Sequence, residues 1–205
     1  METAQSTSRR PAGVRELPIV AGHLALDFAN TVDNPDGPQR FDHVIDYPGL
    51  LDWAARRGVL SDVDTLRSTA SRHPRRAIAT ARRAAVLRDA LNAVFGAVVD
   101  GTGTAESWPR LRPFVSAAIE HATDSSPEPT WDFTDLESPL WPIADSAYSL
   151  LTGPAALRRL KRCAGCPWLF LDQSRNGSRR WCSMELCGTD HKINLYVAKR
   201  AGSRR

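Results

Sequence analysis

Residues 163–187 read CAGCPWLFLDQSRNGSRRWCSMELC and hold all four cysteines of a 205-residue chain. Cys163 and Cys166 form one pair and Cys182 and Cys187 the other, a C-x2-C-x15-C-x4-C pattern. A C-x2-C loop folds back so that both thiolates face one ion, and a second pair about 15 residues later closes a tetrahedron. Four unrelated thiols would rarely be grouped this way in a chain so sparing of cysteine, so the pattern predicts one Zn2+ held by Cys163, Cys166, Cys182 and Cys187. Protein then fills all four positions and leaves none for water, which makes the ion structural rather than hydrolytic. Four thiolates on Zn2+ carry a formal −2, which the flanking Lys161, Arg162, Arg179 and Arg180 offset. His191, four residues after Cys187, is an alternative ligand, but with the cysteine set complete a solvent-facing histidine near a helix start is the simpler reading.

Between the pairs, Trp168 and Phe170 alternate, Asn176-Gly177 is a hairpin turn signal, and Arg179 to Trp181 forms the expected returning strand. A knuckle, a hairpin and a helix beginning after Cys187 make a treble-clef-like module. Its apolar content is little more than Trp168, Leu169, Phe170, Trp181 and Leu186. Metal binding worth on the order of 10 kcal/mol then supplies most of its folding free energy.

Working outward, the charge is divided. The whole chain carries a formal +4, but residues 158–205 hold 12 Lys and Arg against 3 Asp and Glu, a net +9. The other 15 basic and 20 acidic residues give residues 1–157 a net −5. A basic piece on an acidic body points to a polyanionic partner. Arg175, Arg179, Arg180, Lys192, Lys199 and Arg200 are the candidate phosphate contacts, with DNA the expected partner. The competing reading is a solvated basic face that also neutralises the thiolate centre. A net +9 exceeds what a −2 site requires. Asp172 and Ser174 suit turn-organising bonds better than partner contacts.

Hydrophobic residues at 42% and charged ones at 24% are ordinary for a soluble globular protein. No run of about 18 apolar residues suggests a membrane span, and the polar start has no signal-peptide core, so a cytoplasmic protein is expected. In a reducing compartment clustered cysteines favour metal over disulfides. Residues 1–15 read as a disordered tail, 16–157 as a helical domain and 158–205 as the zinc module.

The body is expected to be mainly α. A buried helix is predicted over Leu17 to Val32. Asp46 before Tyr47-Pro48 starts another, which Gly58 ends. Ser61 caps a third, stopping near Pro74. The strongest period runs from Ile78 to Val99, with Leu87, Leu91, Val94, Phe95 and Val98 on one face and Gly101 and Gly103 terminating it. Phe114, Val115, Ala118 and Ile119 share another face. Trp131 and Phe133 suggest a short strand or hairpin arm, Leu140, Ile143, Ala147 and Leu150 a last body helix broken by Gly153-Pro154, and AALRRLKR a short basic helix leading into the cysteines. No phosphate-binding glycine loop or internal repeat is present.

His23, Asp27 and Asn30 stand at i, i+4 and i+7 on the first predicted helix. They could line a small-molecule pocket of a ligand-sensing domain or bond to neighbouring helix ends. A His/Asp pair alone, without a nucleophile, metal triad or phosphate loop, is a thin basis for catalysis, so no catalytic residue is assigned.

The stretch from Cys163 to Gly188 resembles the CGNR zinc finger family, whose core runs C-x2–4-C, W-x-F-x-D-x-S-R-N, R-x-W-C-S and a C-G-N-R close. The matching residues are Cys163, Cys166, Trp168, Phe170, Asp172, Ser174, Arg175, Asn176, Arg179 or Arg180, Trp181, Cys182, Ser183, Cys187 and Gly188. Residues 24–32, LALDFANTV, are similar to the ABATE domain that precedes such fingers in bacterial proteins. The resemblance implies a helical body, a structural zinc site and a role in stress-linked transcription regulation. Thr189-Asp190 stands where the family has Asn-Arg, exchanging an arginine for a carboxylate; zinc binding, which needs only the cysteines, is untouched. Two functions follow as expectations. One is a regulator whose helical domain senses a ligand or partner and whose zinc module binds DNA. The other is a protein without DNA binding, in which the module is structural or protein-docking and the body binds a small molecule or acts as a divergent enzyme.

Overall fold

The computed structural model describes residues 13–14, 16–124 and 128–202. The expected tail over 1–15 lies outside the described residues except for Gly13 and Val14. Val14 is buried, and its carbonyl accepts from Arg56 at 2.6 Å.

The chain is mainly helical. In order it forms α1 (Leu24–Ala29), a two-residue antiparallel pair β1 (Val32–Asp33) and β2 (Phe41–Asp42), α2 (Tyr47–Arg56), α3 (Asp64–Arg72), α4 (Pro74–Asp100), α5 (Trp108–Glu120) and α6 (Leu140–Thr152). The short α7 (Pro154–Leu157), a hairpin of β3 (Leu160–Arg162) and β4 (Leu169–Leu171), a π-helical turn (Met184–Gly188) and α8 (Thr189–Gly202) follow.

Helix α4 is the axis of the fold. Pro74 sits in its first turn, and Gly101 ends it in the left-handed region at φ +68°, where a Cβ would be strained. Its 27 residues span roughly 40 Å, and α1, α2, α3, α5, α6 and β3 all pack against it. Leu87, Leu91, Val94 and Phe95 are fully buried, as their period predicts. Arg88, also buried, is held by both oxygens of Asp42 at 2.5 Å, so its charge enters the interior paired. Asp46 caps α2 by accepting the Gly49 amide at 2.8 Å, and Gly58 closes that helix at φ +75°.

Several expectations are corrected. The helix expected over Leu17 to Val32 is only α1. Pro18 lacks an amide proton, Gly22 turns at φ +73°, and the Ala21 amide goes to the Asp27 carboxylate at 3.0 Å instead of a helical carbonyl. Residues 17–22 form no helix, and the Ala21 carbonyl accepts the Leu171 amide at 2.8 Å. Ser61 does not cap α3, which starts at Asp64, where Asp62 accepts the Asp64 amide at 3.0 Å. In α5 the buried face is Leu111, Phe114, Val115 and Ala118, while Ile119 is 62% exposed. Of the strand or hairpin arm expected at Trp131 and Phe133, the fold keeps one antiparallel bridge, Trp131 with Ala122, beside a Thr123 amide to Thr130 carbonyl bond of 2.8 Å, and Phe133 is in no strand.

The basic helix expected from AALRRLKR is α7 followed by β3. Leu160 pairs with Leu171, Lys161 with Phe170 and Arg162 with Leu169. The hairpin arms are therefore 160–162 and 169–171, with the first cysteine pair in the connecting loop, and Arg179 to Trp181 is not a returning strand. Burial of Leu160, Leu169, Phe170 and Leu171 outweighs the helical propensity of the basic run. These residues join the same hydrophobic cluster as α1 and α4, so the core crosses position 158 without a break. Among the described residues no helix is long and apolar enough to cross a membrane.

Candidate metal centre and basic surface

The four cysteines converge although 24 positions separate the first from the last. Their sulfurs all lie within 4.8 Å of one another, with Cys166 to Cys182 at 3.6 Å and Cys182 to Cys187 at 3.7 Å. Sulfurs placed tetrahedrally about Zn2+ at about 2.3 Å are about 3.8 Å apart, whereas a disulfide needs about 2.05 Å. The geometry is that of one metal site. The donor chemistry agrees: amides of Gly165 and Cys182 point at Cys163 Sγ from 3.4 and 3.2 Å. Hydrogen bonds from the other three sulfurs pull the Cys163 thiol far below its ordinary range, and the bond to Cys163 pushes Cys166 far above it. Only a cation lets four sulfurs this close be thiolates together, and zinc held by these four cysteines is what the site provides.

Local structure explains how the ligands get there. Cys163 follows β3 directly, and its amide donates to the Trp168 carbonyl at 2.9 Å, closing the knuckle. At Gly165 a Cβ would stand 3.0 Å from Cys187 Cβ, so the two halves of the site meet across a glycine. Ser183 accepts the Leu186 amide on its hydroxyl at 3.3 Å and the Gly188 amide on its carbonyl at 3.0 Å, shaping the π-helical turn that carries Cys187. Thr189, where the family has asparagine, donates to the Met184 carbonyl at 3.0 Å and locks that turn to α8.

Behind the metal lies a polar centre. Asp172 is fully buried and accepts four bonds: Ser174 amide and hydroxyl at 3.0 and 2.5 Å, the Arg179 amide at 2.9 Å and Lys161 Nζ at 2.6 Å. Burial raises its pKa, but Lys161 and the other donors outweigh that and hold the carboxyl well below the usual range. Asp172 and Ser174 thus organise the turn, with Gly177 at φ +59°.

The cations divide into two groups. Arg179 is a strut: it donates to the carbonyls of Trp181 at 2.8 Å, Val20 at 3.0 Å and Cys182, and its guanidinium covers the Phe170 ring at 4.6 Å. Among the expected DNA contacts whose side chains are described, it is the one whose Nε and Nη2 are engaged inside the fold. Lys161 is bound to Asp172, and Arg162 to Asp100 at 2.9 Å. In contrast Arg175, Arg180, Lys192 and Arg200 are exposed and make no ion pair among the described residues. Arg180 lies over the Trp181 ring at 5.0 Å and Arg200 over Tyr196 at 5.1 Å. Arg158, not among the expected contacts, is exposed in the same way. The Lys199 side chain lies outside the described residues. His191 rests 5.5 Å from the Trp181 ring and is not part of the sulfur cluster.

His23, Asp27 and Asn30 do not converge on one cavity. His23 Nδ1 is 3.3 Å from Ser146, and burial lowers its pKa. Asp27 bonds the Ala21 amide and, at 2.9 Å, Arg57; burial raises its pKa despite these partners. Asn30 donates to the Leu169 carbonyl at 2.8 Å and accepts the Leu169 amide at 3.0 Å, a two-point clasp between α1 and β4. The alternative expectation is bonds to neighbouring helix ends; the partners are instead Ser146 within α6, the Ala21 amide, Arg57 and Leu169 of β4. The sequence carried no signal for a second bridge, Trp168 Nε1 donating to Asp33 at 3.1 Å, which ties the module to β1.

Comparison with family models agrees with this anatomy. Residues 22–154 match the ABATE model, described as a putative stress-induced transcription regulator, and residues 159–200 match the CGNR zinc finger. No curated protein matches the chain.

Proposed function

Because this chain belongs to the ABATE family and ends in a CGNR zinc finger, we propose that it is a bacterial transcription regulator of the stress response whose zinc module binds DNA and whose helical body receives a signal. The supporting observation is the set of cations left over once the fold has used its own. Arg158, Arg175, Arg180, Lys192 and Arg200 are exposed and unpaired among the described residues, and they belong to a segment of net +9. The zinc site and the Asp172 centre hold the turn bearing Arg175 and the start of α8 in fixed positions, so these charges meet a duplex backbone without paying for ordering of the loop.

Fluorescence anisotropy with a labelled duplex, on protein of verified zinc content, tests the reading. Binding should weaken steeply with salt, the log–log slope approaching about −0.9 for each phosphate neutralised. No salt-dependent binding at low ionic strength would remove DNA from the proposal. A second reading, in which the module is structural and the body alone acts, is favoured by the continuous core and by Asp190 in place of the family's arginine. Absent DNA affinity together with a metabolite retained in native mass spectrometry would establish it.

A further inference from the structure

A cavity of about 600 Å3 opens between α2, α3 and the N-terminal half of α4, away from the metal and from His23, Asp27 and Asn30. Its walls are apolar: Val44, Ile45, Leu51, Ala77, Ile78 and Ala81 among them. Alanines at 77, 81 and 85 leave space that longer side chains on this face of α4 would have filled. At the rim Ile45 and Ile78 are 76% and 54% exposed, a cost in water that an apolar occupant removes. The volume lies in the range of small-molecule sites, about 300–1,000 Å3.

The charged residues at the cavity decide the class of occupant. Asp42 is engaged by Arg88, Asp46 caps α2, and Arg67 is bound to Asp52 at 2.8 Å. Arg82 is exposed and makes no hydrogen bond or ion pair among the described residues. It is thus the one charge at this cavity without a partner there, and it is positive. We propose that this cavity binds an amphipathic organic acid, its apolar body between α2, α3 and α4 and its carboxylate on Arg82. The inference rests on reading the helical body as the receiving half of a regulator and names what it receives.

Decanoate is the probe, with decanol and decyltrimethylammonium of matched chain length as controls, titrated calorimetrically into the full-length protein. Decanoate should bind more tightly than either control. Arg82→Gln should weaken decanoate at least about fivefold and leave decanol unchanged. Ala81→Phe should abolish binding of both, and far-UV circular dichroism and thermal melting check that the variants fold. The inference is overturned if decanoate does not bind at millimolar concentration, if the cation binds as well as the acid, or if neither substitution changes the isotherm. It is also overturned if light scattering shows a dimer that Ala81→Phe dissociates, since a second copy would then cover the cavity. Duplex anisotropy on the same preparation separates this site from the DNA reading: decanoate binding without DNA binding sinks only the DNA reading, and the reverse sinks only this one.

Discussion

The body around α4 and the module around the metal share one core but are held together by different physics. Around α4, stability comes from area: Leu87, Leu91, Val94, Phe95, Phe28 and Trp53 remove large apolar surfaces from water, with the Phe28 and Trp53 rings tilted against each other at 4.8 Å. The module contributes Leu160, Trp168, Leu169, Phe170 and Leu171 to that core, and its turn is held by polar and ionic bonds centred on Asp172. The difference predicts opposite sensitivities. The body should respond to changes in volume, and the module to changes in charge and ligation.

Removing a metal ligand should have the largest effect. Cys182 is buried beneath the site, and Cys182→Ser should release the zinc and with it most of the order on the order of 10 kcal/mol of metal binding supports. Metal analysis should fall from one ion per chain to none. Far-UV circular dichroism should keep the signal of α4, α5 and α6, which pack against one another. Full retention of zinc would break the assignment of four cysteine ligands. Collapse of the whole helical signal would show that the shared core makes the two regions one cooperative unit.

Asp172→Asn comes next. The amide keeps the shape but leaves Lys161 inside the turn without its counter-charge, and it cannot accept all four bonds. The pH dependence has a definite sign. The folded pKa of Asp172 lies below the ordinary carboxyl value of about 4, so its stabilisation is complete above that value and disappears as pH falls toward the folded pKa. The wild-type melting temperature should exceed that of Asp172→Asn at neutral pH, with the gap narrowing on acidification below about pH 4. A gap independent of pH would mean that geometry rather than charge sets the contribution.

Asn30→Ala probes the seam between the regions. It leaves both the amide and the carbonyl of Leu169 buried without Asn30, a loss of about 2–4 kcal/mol and a melting decrease of roughly 5–10 °C. Amide hydrogen exchange should quicken at Leu169 more than at the centre of α4. Uniform quickening would again favour a single unit.

What could be read in advance follows the same division. Helix α4 was legible because burial imposes a helical period over many residues, and the metal site because a cation demands a fixed ligand spacing. The start of the chain was not, since its period suited a helix while tertiary partners at Asp27 and Leu171 drew residues 17–22 into another conformation. Nor were the hairpin arms: Lys161 and Arg162 make residues 160–162 look helical and exposed, and only the pairing of Leu160 with Leu171 and the Lys161–Asp172 bond explain a strand there. Asn30 was visible as a polar residue on an apolar face, but its partner lies 139 positions away.

The smallest expected effect on stability is the one that separates structural from available cations. Arg175 and Arg179 are four residues apart with the same side chain, and nothing in the sequence distinguishes their tasks. Arg179 bridges three carbonyls and covers Phe170, so Arg179→Gln should lower the melting temperature and disturb the metal site through Cys182. Arg175 projects from the turn without an ion pair among the described residues, so Arg175→Gln should stay within about 0.5 kcal/mol of the parent. On the DNA reading it should also reduce the magnitude of the salt slope by about 1. Melting curves and anisotropy on the two variants decide the matter: an unchanged slope for Arg175→Gln with intact zinc would assign that arginine to the solvated face and move the duplex contact toward Arg180 and α8.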